Sequence, residues 1–209
     1  MSNKKKILII QKVHEKGMEL INNHPNFDVE VTDDTSVENL KSKLKDCDGA
    51  SIRIAKLPGE TFEEAKNLKI ISRHGVGYDN IDLKKAKEKD IKIAITANAN
   101  AVTVAEHVMF VLLNIAKRKG LFDKTVRDGN FKDRNKLPKT IEVWKKNFLI
   151  MGFGRIGKAL IKRCLGFEMN VFVYDPFVDK NKIEELGGKK VDDLAEAVKL
   201  WMLFRSICL

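Results

Sequence analysis

Apolar and polar residues alternate along this chain with a period that keeps changing. "ILII", "FDVEV", "ASIRIA", "KIISR" and "IKIAIT" are short runs rich in β-branched residues, and each reads as a strand. Between them, "HEKGMELINN", "SVENLKSKLKD", "ETFEEAKNL" and "LKKAKEK" are amphipathic segments that read as helices. Strands and helices taking turns on this scale predict βαβ units around a parallel sheet, an α/β fold. Thr35 with Glu38 predicts a capping box at one helix start.

A second box, Thr103 with Glu106, opens "TVAEHVMFVLLNIAKRK". Its middle is apolar nearly all round, which predicts a helix buried between two layers. The basic residues 117–119 suit its C-terminal dipole, and Gly120 reads as its stop. The polar stretch from Leu121 to Lys146, with Gly129 and Pro138, has weak periodicity and reads as a connector. A domain boundary is expected near residues 97–102.

"NFLIMGFGRIGKALIKRCLGFEMNVFVYDPF" carries the clearest chemistry. An apolar strand runs into Gly152, Gly154 and Gly157, a helix follows, and a second strand ends at Asp175, 18 positions past the third glycine. In that context GxGxxG is a dinucleotide-binding signature. The first glycine allows the tight turn, the second lets backbone approach a pyrophosphate, and the third lets helix and strand pack closely. Asp175 can accept from an adenosine ribose, and its charge disfavours a 2′-phosphate, so the expected cofactor is NAD. A second constellation, "RHGVGYDNID", puts two glycines around Val76 after a strand. That arrangement suits either a concave array of N–H groups for a carboxylate or a plain tight turn.

Composition adds limits. With 44% hydrophobic and 33% charged residues, the chain reads as soluble and globular. Its net charge of +10 fits anionic partners or a lysine-rich solvated surface. The one dense basic run, residues 4–6, has no aromatic residues interleaved, so no nucleic-acid partner is expected. Cys47, Cys164 and Cys208 show neither pairing nor metal spacing, so no metal is expected. No window reaches the ~18 apolar residues of a membrane span. A cytoplasmic protein is expected.

"ISRHGVGYDNIDLKKAKEKDIKIAITANANAVTVAEHVMFVLL", with "GNF" and "MGFGRIGKALIKR" after it, resembles the D-isomer-specific 2-hydroxyacid dehydrogenase family, and within it the phosphoglycerate dehydrogenases of serine biosynthesis. The resemblance covers about residues 45–200. It implies a flavodoxin-like substrate domain over residues 1–100, followed over 101–200 by an incomplete Rossmann domain. It also implies NAD, a small 2-hydroxy or 2-oxo acid as partner, and a homodimer for the full-length protein. Carried onto this chain, Val76 and Gly77 would present N–H groups to the substrate carboxylate, and Asn100 would border substrate and nicotinamide. Arg53 would meet a substrate phosphate, although an exposed strand residue is an equal reading. Arg155 and Ile156 would lie over the pyrophosphate. Asp90 and Lys145 stand where the resemblance leads one to expect glycine, and Ala97 where it leads one to expect proline. His74 and His107 are expected to be structural.

The resemblance places the catalytic arginine, glutamate and histidine after the end of this sequence, so no catalytic residue is assigned. Residues 201–209, "WMLFRSICL", are expected to be an out-of-frame tail. Trp201 and Met202 require TGG ATG, and dropping two bases gives an aspartate codon. Permitted codons for residues 203–209 then read Val, Ile, Ser, Val, His, Met, Pro, like the strand the family continues with. The other reading is a natural short chain. An incomplete polypeptide is expected to be aggregation-prone and inactive, and a non-catalytic NAD-binding module of corepressor type is the alternative function.

Overall fold

Strand β1 (Lys5–Ile10) buries Leu8, Ile9 and Ile10 in succession, so it is covered on both faces and sits inside its sheet. Its neighbours are β2 (Phe27–Thr32) on one side and β3 (Gly49–Ile52) on the other, with β4 (Ile70–Arg73) and β5 (Lys92–Ile95) beyond. Every pairing is parallel and the order is β2-β1-β3-β4-β5, the flavodoxin-like order. Helices α1 (Glu15–Asn22), α2 (Val37–Leu44) and α3 (Leu83–Glu88) are three of the crossovers. The core joins Leu8, Ile10, Ile52 and Ile71 of the strands to Leu40, Leu44, Leu57 and Phe62.

The computed structural model describes residues 4–200. Contacts divide the chain into two units between Ala99 and Asn100. The second unit starts with α4 (Ala101–Ala116) and α5 (Lys119–Arg127). Its sheet has β6 (Asn147–Met151), β7 (Asn170–Tyr174) and β8 (Lys189–Lys190), parallel in the order β6-β7-β8. That is the arrangement of the first mononucleotide-binding half of a Rossmann sheet. Helices α6 (Arg155–Gly166), α7 (Lys180–Glu184) and α8 (Leu194–Leu200) alternate with the strands. Ala105, Met109, Leu112 and Ala116 of α4 share a core with Leu160, Ile161 and Cys164 of α6, and Cys164 Sγ lies 3.7 Å from Met109 Sδ. The proposed out-of-frame tail, residues 201–209, lies outside the described residues.

Several local expectations are corrected. "ETFEEAKNL" is not a helix: only Gly59–Thr61 forms a 3₁₀ turn, followed by irregular chain. Phe62, Ala65 and Leu68 are buried at a spacing of three, a period that bonds such as Phe62 N–H to Gly59 O and Ala65 N–H to Phe62 O serve without a helix. Thr35 is not a cap, because α2 begins after Ser36 and the local side-chain acceptor is Asp34, on Ser36 N–H. Helix α4 begins after Asn100, which leaves Thr103 inside its first turn. It buries one face only; elsewhere around it, Val102, Phe110 and Ile115 are 51%, 59% and 48% exposed. Arg118, not Gly120, ends it, taking φ +50 as the residue past the C-cap. The expected connector contains the nine-residue α5, held along one side by pairs of Asp123 with Lys119 and Arg127 and by Lys124 with Asp128.

Candidate functional site

Three strand ends in the first unit are laced together at the carboxyl edge of the sheet. Gln11, just past β1 at φ +66, accepts the N–H groups of Ile54 and Ala55 on Oε1, each at 2.9 Å. Asn80 Nδ2 donates to Ala55 O at 2.7 Å, and Leu57 and Ile81 form a parallel bridge. Asp82 then caps α3 through Lys85 N–H at 2.9 Å. In "YDNID", Asn80, Ile81 and Asp82 are therefore scaffold, holding the loops after β3 and β4 in place. This edge is where open α/β sheets bind ligands.

Arg53 leaves the end of β3 exposed, with Nη1 on Lys12 O at 3.1 Å. The glycine turn follows β4. Gly75 N–H reaches back to Arg73 O at 2.9 Å and Gly75 O receives Thr96 N–H at 3.0 Å. The N–H groups of Val76 and Gly77 have no acceptor among the described residues, so they are free for an anion.

Sequence reasoning missed Arg73. Its guanidinium crosses over Gly75, where a Cβ would come within 1.3 Å of Nη1, and Nη1 donates to His74 O at 2.5 Å. Its buried Nε has no hydrogen-bond partner. Arg73 pairs in register with Ile52, the residue before Arg53, so the two arginines end adjacent strands; Arg73 lies against the glycine turn, while Arg53 reaches to Lys12 O. The available signal was a cation two positions ahead of the first glycine of "GVG".

In the second unit, β6 runs into Gly152 at φ +92, a conformation that favours glycine. Its N–H donates to Tyr174 O at 2.8 Å, continuing the ladder to β7. Gly157 is required by packing: a Cβ there would lie 2.3 Å from Gly152 O. A Cβ at Gly154 would meet nothing within 4 Å, so backbone faces open space where a pyrophosphate would approach. Arg155 and Ile156 are exposed in the first turn of α6, and the first described donor there to find a helical acceptor is Lys158, on Gly154 O at 3.0 Å. The N–H groups ahead of it form an anion site of the kind dinucleotide folds use, so these residues fit such a cofactor.

Asp175 is more constrained than a free ribose acceptor. Its Oδ2 takes Phe153 N–H at 2.7 Å and its Oδ1 takes Phe177 N–H at 2.9 Å. These backbone donors, Phe153 first, hold its carboxyl below the usual carboxylate range. Ribose hydroxyls would use the remaining lone pairs. Phe177 beside it is 93% exposed. Asn100 is exposed at the N-cap of α4, and its side chain caps nothing. It belongs to the second unit while Val76 and Gly77 belong to the first.

Of the four histidines, His74 alone adjoins the glycine turn, between Arg73 and Gly75. His14 Nδ1 accepts Lys16 N–H, His24 stacks on Phe27, and His74 and His107 are exposed. None pairs with a carboxylate. Cys47 and Cys164 are buried, and burial pushes their thiols up to about 11 and about 12, which makes them poor nucleophiles. Among the described residues no cluster of His, Cys, Asp and Glu could hold a metal, and no helix is long and apolar enough to cross a membrane.

Comparison with known proteins agrees with this geometry. The family model for the catalytic domain of D-isomer specific 2-hydroxyacid dehydrogenases matches residues 7–200. D-3-phosphoglycerate dehydrogenase of Methanocaldococcus jannaschii is 35% identical over 195 residues, covering 93% of this chain and 36% of that protein. Glyoxylate reductase of Thermococcus onnurineus is 33% identical over 205 residues, covering 94% of this chain and 60% of that protein. Among solved structures, NAD-dependent formate dehydrogenase from Staphylococcus aureus in complex with NAD has a TM-score of 0.73 at 25% identity, over 90% of this chain and 60% of that one. The chain thus spans between about a third and three fifths of the length of these relatives. With the match running through both units, from β1 to α8, the chain belongs to the D-isomer specific 2-hydroxyacid dehydrogenase family.

Proposed function

We propose that this chain binds NAD through its second unit and a D-2-hydroxy or 2-oxo acid through its first, the binding part of an oxidoreductase of the CH–OH group closest in substrate to phosphoglycerate dehydrogenase, and that these 209 residues alone do not turn over. The observation that carries the reading is the pair of free N–H groups at Val76 and Gly77 beside Arg73, with Arg53 ending the adjacent strand. A carboxylate suits the N–H groups, and a second anionic group suits the guanidinium ions. That favours 3-phosphoglycerate over glyoxylate, which has one anionic group.

When bound, the nicotinamide would supply the hydride acceptor for the C2 carbon. This chain's part is to orient. Residues 152–157 would seat the pyrophosphate, Asp175 the ribose, and the "GVG" turn the acid. Buried, unpaired Cys47 and Cys164 suit a reducing cytoplasm. The exposed apolar residues of α4, Val102, Phe110 and Ile115, suit a homodimer of the full-length protein.

A second reading, an NAD-binding module without catalysis, is favoured by one observation: none of the four histidines is paired with a carboxylate. Titration of the protein with NADH, followed by energy transfer from tryptophan, tests both readings at their shared step. Saturable binding that tightens with 3-phosphoglycerate is expected. No saturable NADH binding would overturn both, and tightening by glyoxylate alone would overturn the substrate assignment.

A further inference from the structure

The turn after β7 is held from two sides. Asp175 holds it through Phe177 N–H at 2.9 Å, and Lys190 Nζ holds its other end through Val178 O at 3.0 Å. Lys190 pairs in register with Val173, and register partners in a parallel pair share a face. Asp175 lies two residues beyond Val173, one past the end of β7, at the start of the turn that Lys190 holds at Val178. The lysine side chain is only 18% exposed, so its ammonium is fixed beside the turn and does not sweep through solvent. Among the described residues its one ion-pair partner is Asp192 Oδ1 at 3.5 Å, on a side chain 86% exposed, where solvent weakens the pairing.

An aspartate at the end of this strand normally excludes a 2′-phosphate by charge, and a nearby cation normally admits one. Here both stand at the same turn. We infer that Lys190 sets cofactor discrimination: its ammonium offsets the Asp175 carboxylate where the adenosine 2′ position would lie, so the site accepts NADPH almost as well as NADH. The Lys190 charge also contributes, after the Phe153 and Phe177 donors, to holding the Asp175 carboxyl low, as expected if the two charges sense each other. The inference rests on the dinucleotide reading of residues 152–175.

The test is calorimetric titration of the 209-residue protein, its Lys190→Gln and its Lys190→Arg variants with NADH and NADPH. Glutamine keeps a donor for Val178 O and removes the charge, whereas arginine keeps both. In the unaltered protein the two dissociation constants should lie within about tenfold of each other. Lys190→Gln should widen that ratio at least about fivefold by weakening NADPH, and Lys190→Arg should leave it near its starting value. A purely structural role would weaken both ligands together and leave the ratio unmoved, which overturns the inference. NADH binding with NADPH more than about tenfold weaker in the unaltered protein overturns it as well. If NADH itself does not bind, the dinucleotide reading falls and takes the inference with it, an outcome distinct from the other two.

Discussion

Asp175 Oδ2 accepts the backbone N–H of Phe153 at 2.7 Å, tying the end of one strand to the glycine loop at the end of its neighbour. Asp175, the proposed ribose acceptor, and the glycine loop proposed to seat the pyrophosphate are thereby one mechanical unit. Phe153 lies in the core at 2% exposure, so the loop is anchored by its ring below and by this carboxylate above. Asp175→Asn retains one acceptor oxygen and can satisfy Phe153 or Phe177 but not both. Affinity for NADH is expected to fall about tenfold, read by the same energy-transfer titration. Unchanged affinity would show that the loop holds its shape without the tie.

The same contact fixes a pH dependence. The Asp175 carboxyl is lowered in the folded protein, so its stabilisation is fully present above the ordinary carboxylate pKa and is lost as pH falls through the lower folded value. NAD⁺ affinity measured by calorimetry should therefore be flat from about pH 8 to about pH 5 as far as Asp175 is concerned, and decline only below about pH 4. A decline centred near about pH 6, the range of an ordinary histidine, would assign the dependence to another group.

Gly157 could be picked out in the sequence because three glycines at this spacing, set between a strand and a helix, mark a turn that helix and strand must close over, and packing agrees. Its missing Cβ would sit 2.3 Å from Gly152 O, a backbone atom that cannot swing away. Gly157→Ala should cost about 1–3 kcal/mol of stability by overpacking, read as a lower denaturant midpoint with an unchanged slope. An alanine protein of unchanged midpoint would mean that α6 slides away freely.

What was legible and what was not divide on physical grounds. Strand ends and glycine turns announce themselves locally, through β-branched runs and positive φ, so β6, Gly152 and Asp175 could be placed from the sequence. Arg73 carried only one local mark, its place two positions ahead of the first glycine of "GVG"; the register of β4 with β3 that sets it at a strand end beside Ile52 is carried by no local pattern. Helix α5 was missed since it is short, carries Gly120 in its first turn, buries no residue and is laced by ion pairs along its surface. The residues between Gly59 and Leu68 misled for the opposite reason: their apolar spacing is right for a helix, yet the core takes it up through successive turns. Asp90 and Lys145 stand where the resemblance leads one to expect glycine, and both take the left-handed backbone that glycine favours, at φ +53 and φ +55. The turn is therefore kept at both positions although the residue is not.

Arg73 is expected to behave unlike an ordinary half-buried arginine. Its Nε is buried and unpaired, so replacing it with methionine removes an unsatisfied donor while keeping much of the stem's packing. Stability of Arg73→Met should therefore change by less than about 1 kcal/mol by thermal unfolding. Binding of 3-phosphoglycerate to the NADH-loaded protein should weaken about tenfold or more, because a charge-assisted contact is lost. A large stability loss with unaltered acid binding would make Arg73 a structural residue of the "GVG" turn.

Turnover by the 209-residue polypeptide provides the sharpest test of how binding and chemistry are distributed. General acid/base catalysis needs a group within hydrogen-bond reach of the transferred proton and with a pKa tuned by its surroundings. His14 spends Nδ1 on Lys16 N–H, His24 is stacked on Phe27, and His74 and His107 stand exposed without a carboxylate partner. The thiols of Cys47 and Cys164 are buried and shifted upward, so neither offers an alternative. NADH should bind, while its oxidation in the presence of glyoxylate, hydroxypyruvate or 3-phosphohydroxypyruvate should not exceed the rate in protein-free controls. Absorbance at the NADH band, followed on a monodisperse sample, decides the matter. Steady oxidation would require an acid/base group among these residues, and His74, next to Gly75 of the "GVG" turn, would be the first to replace.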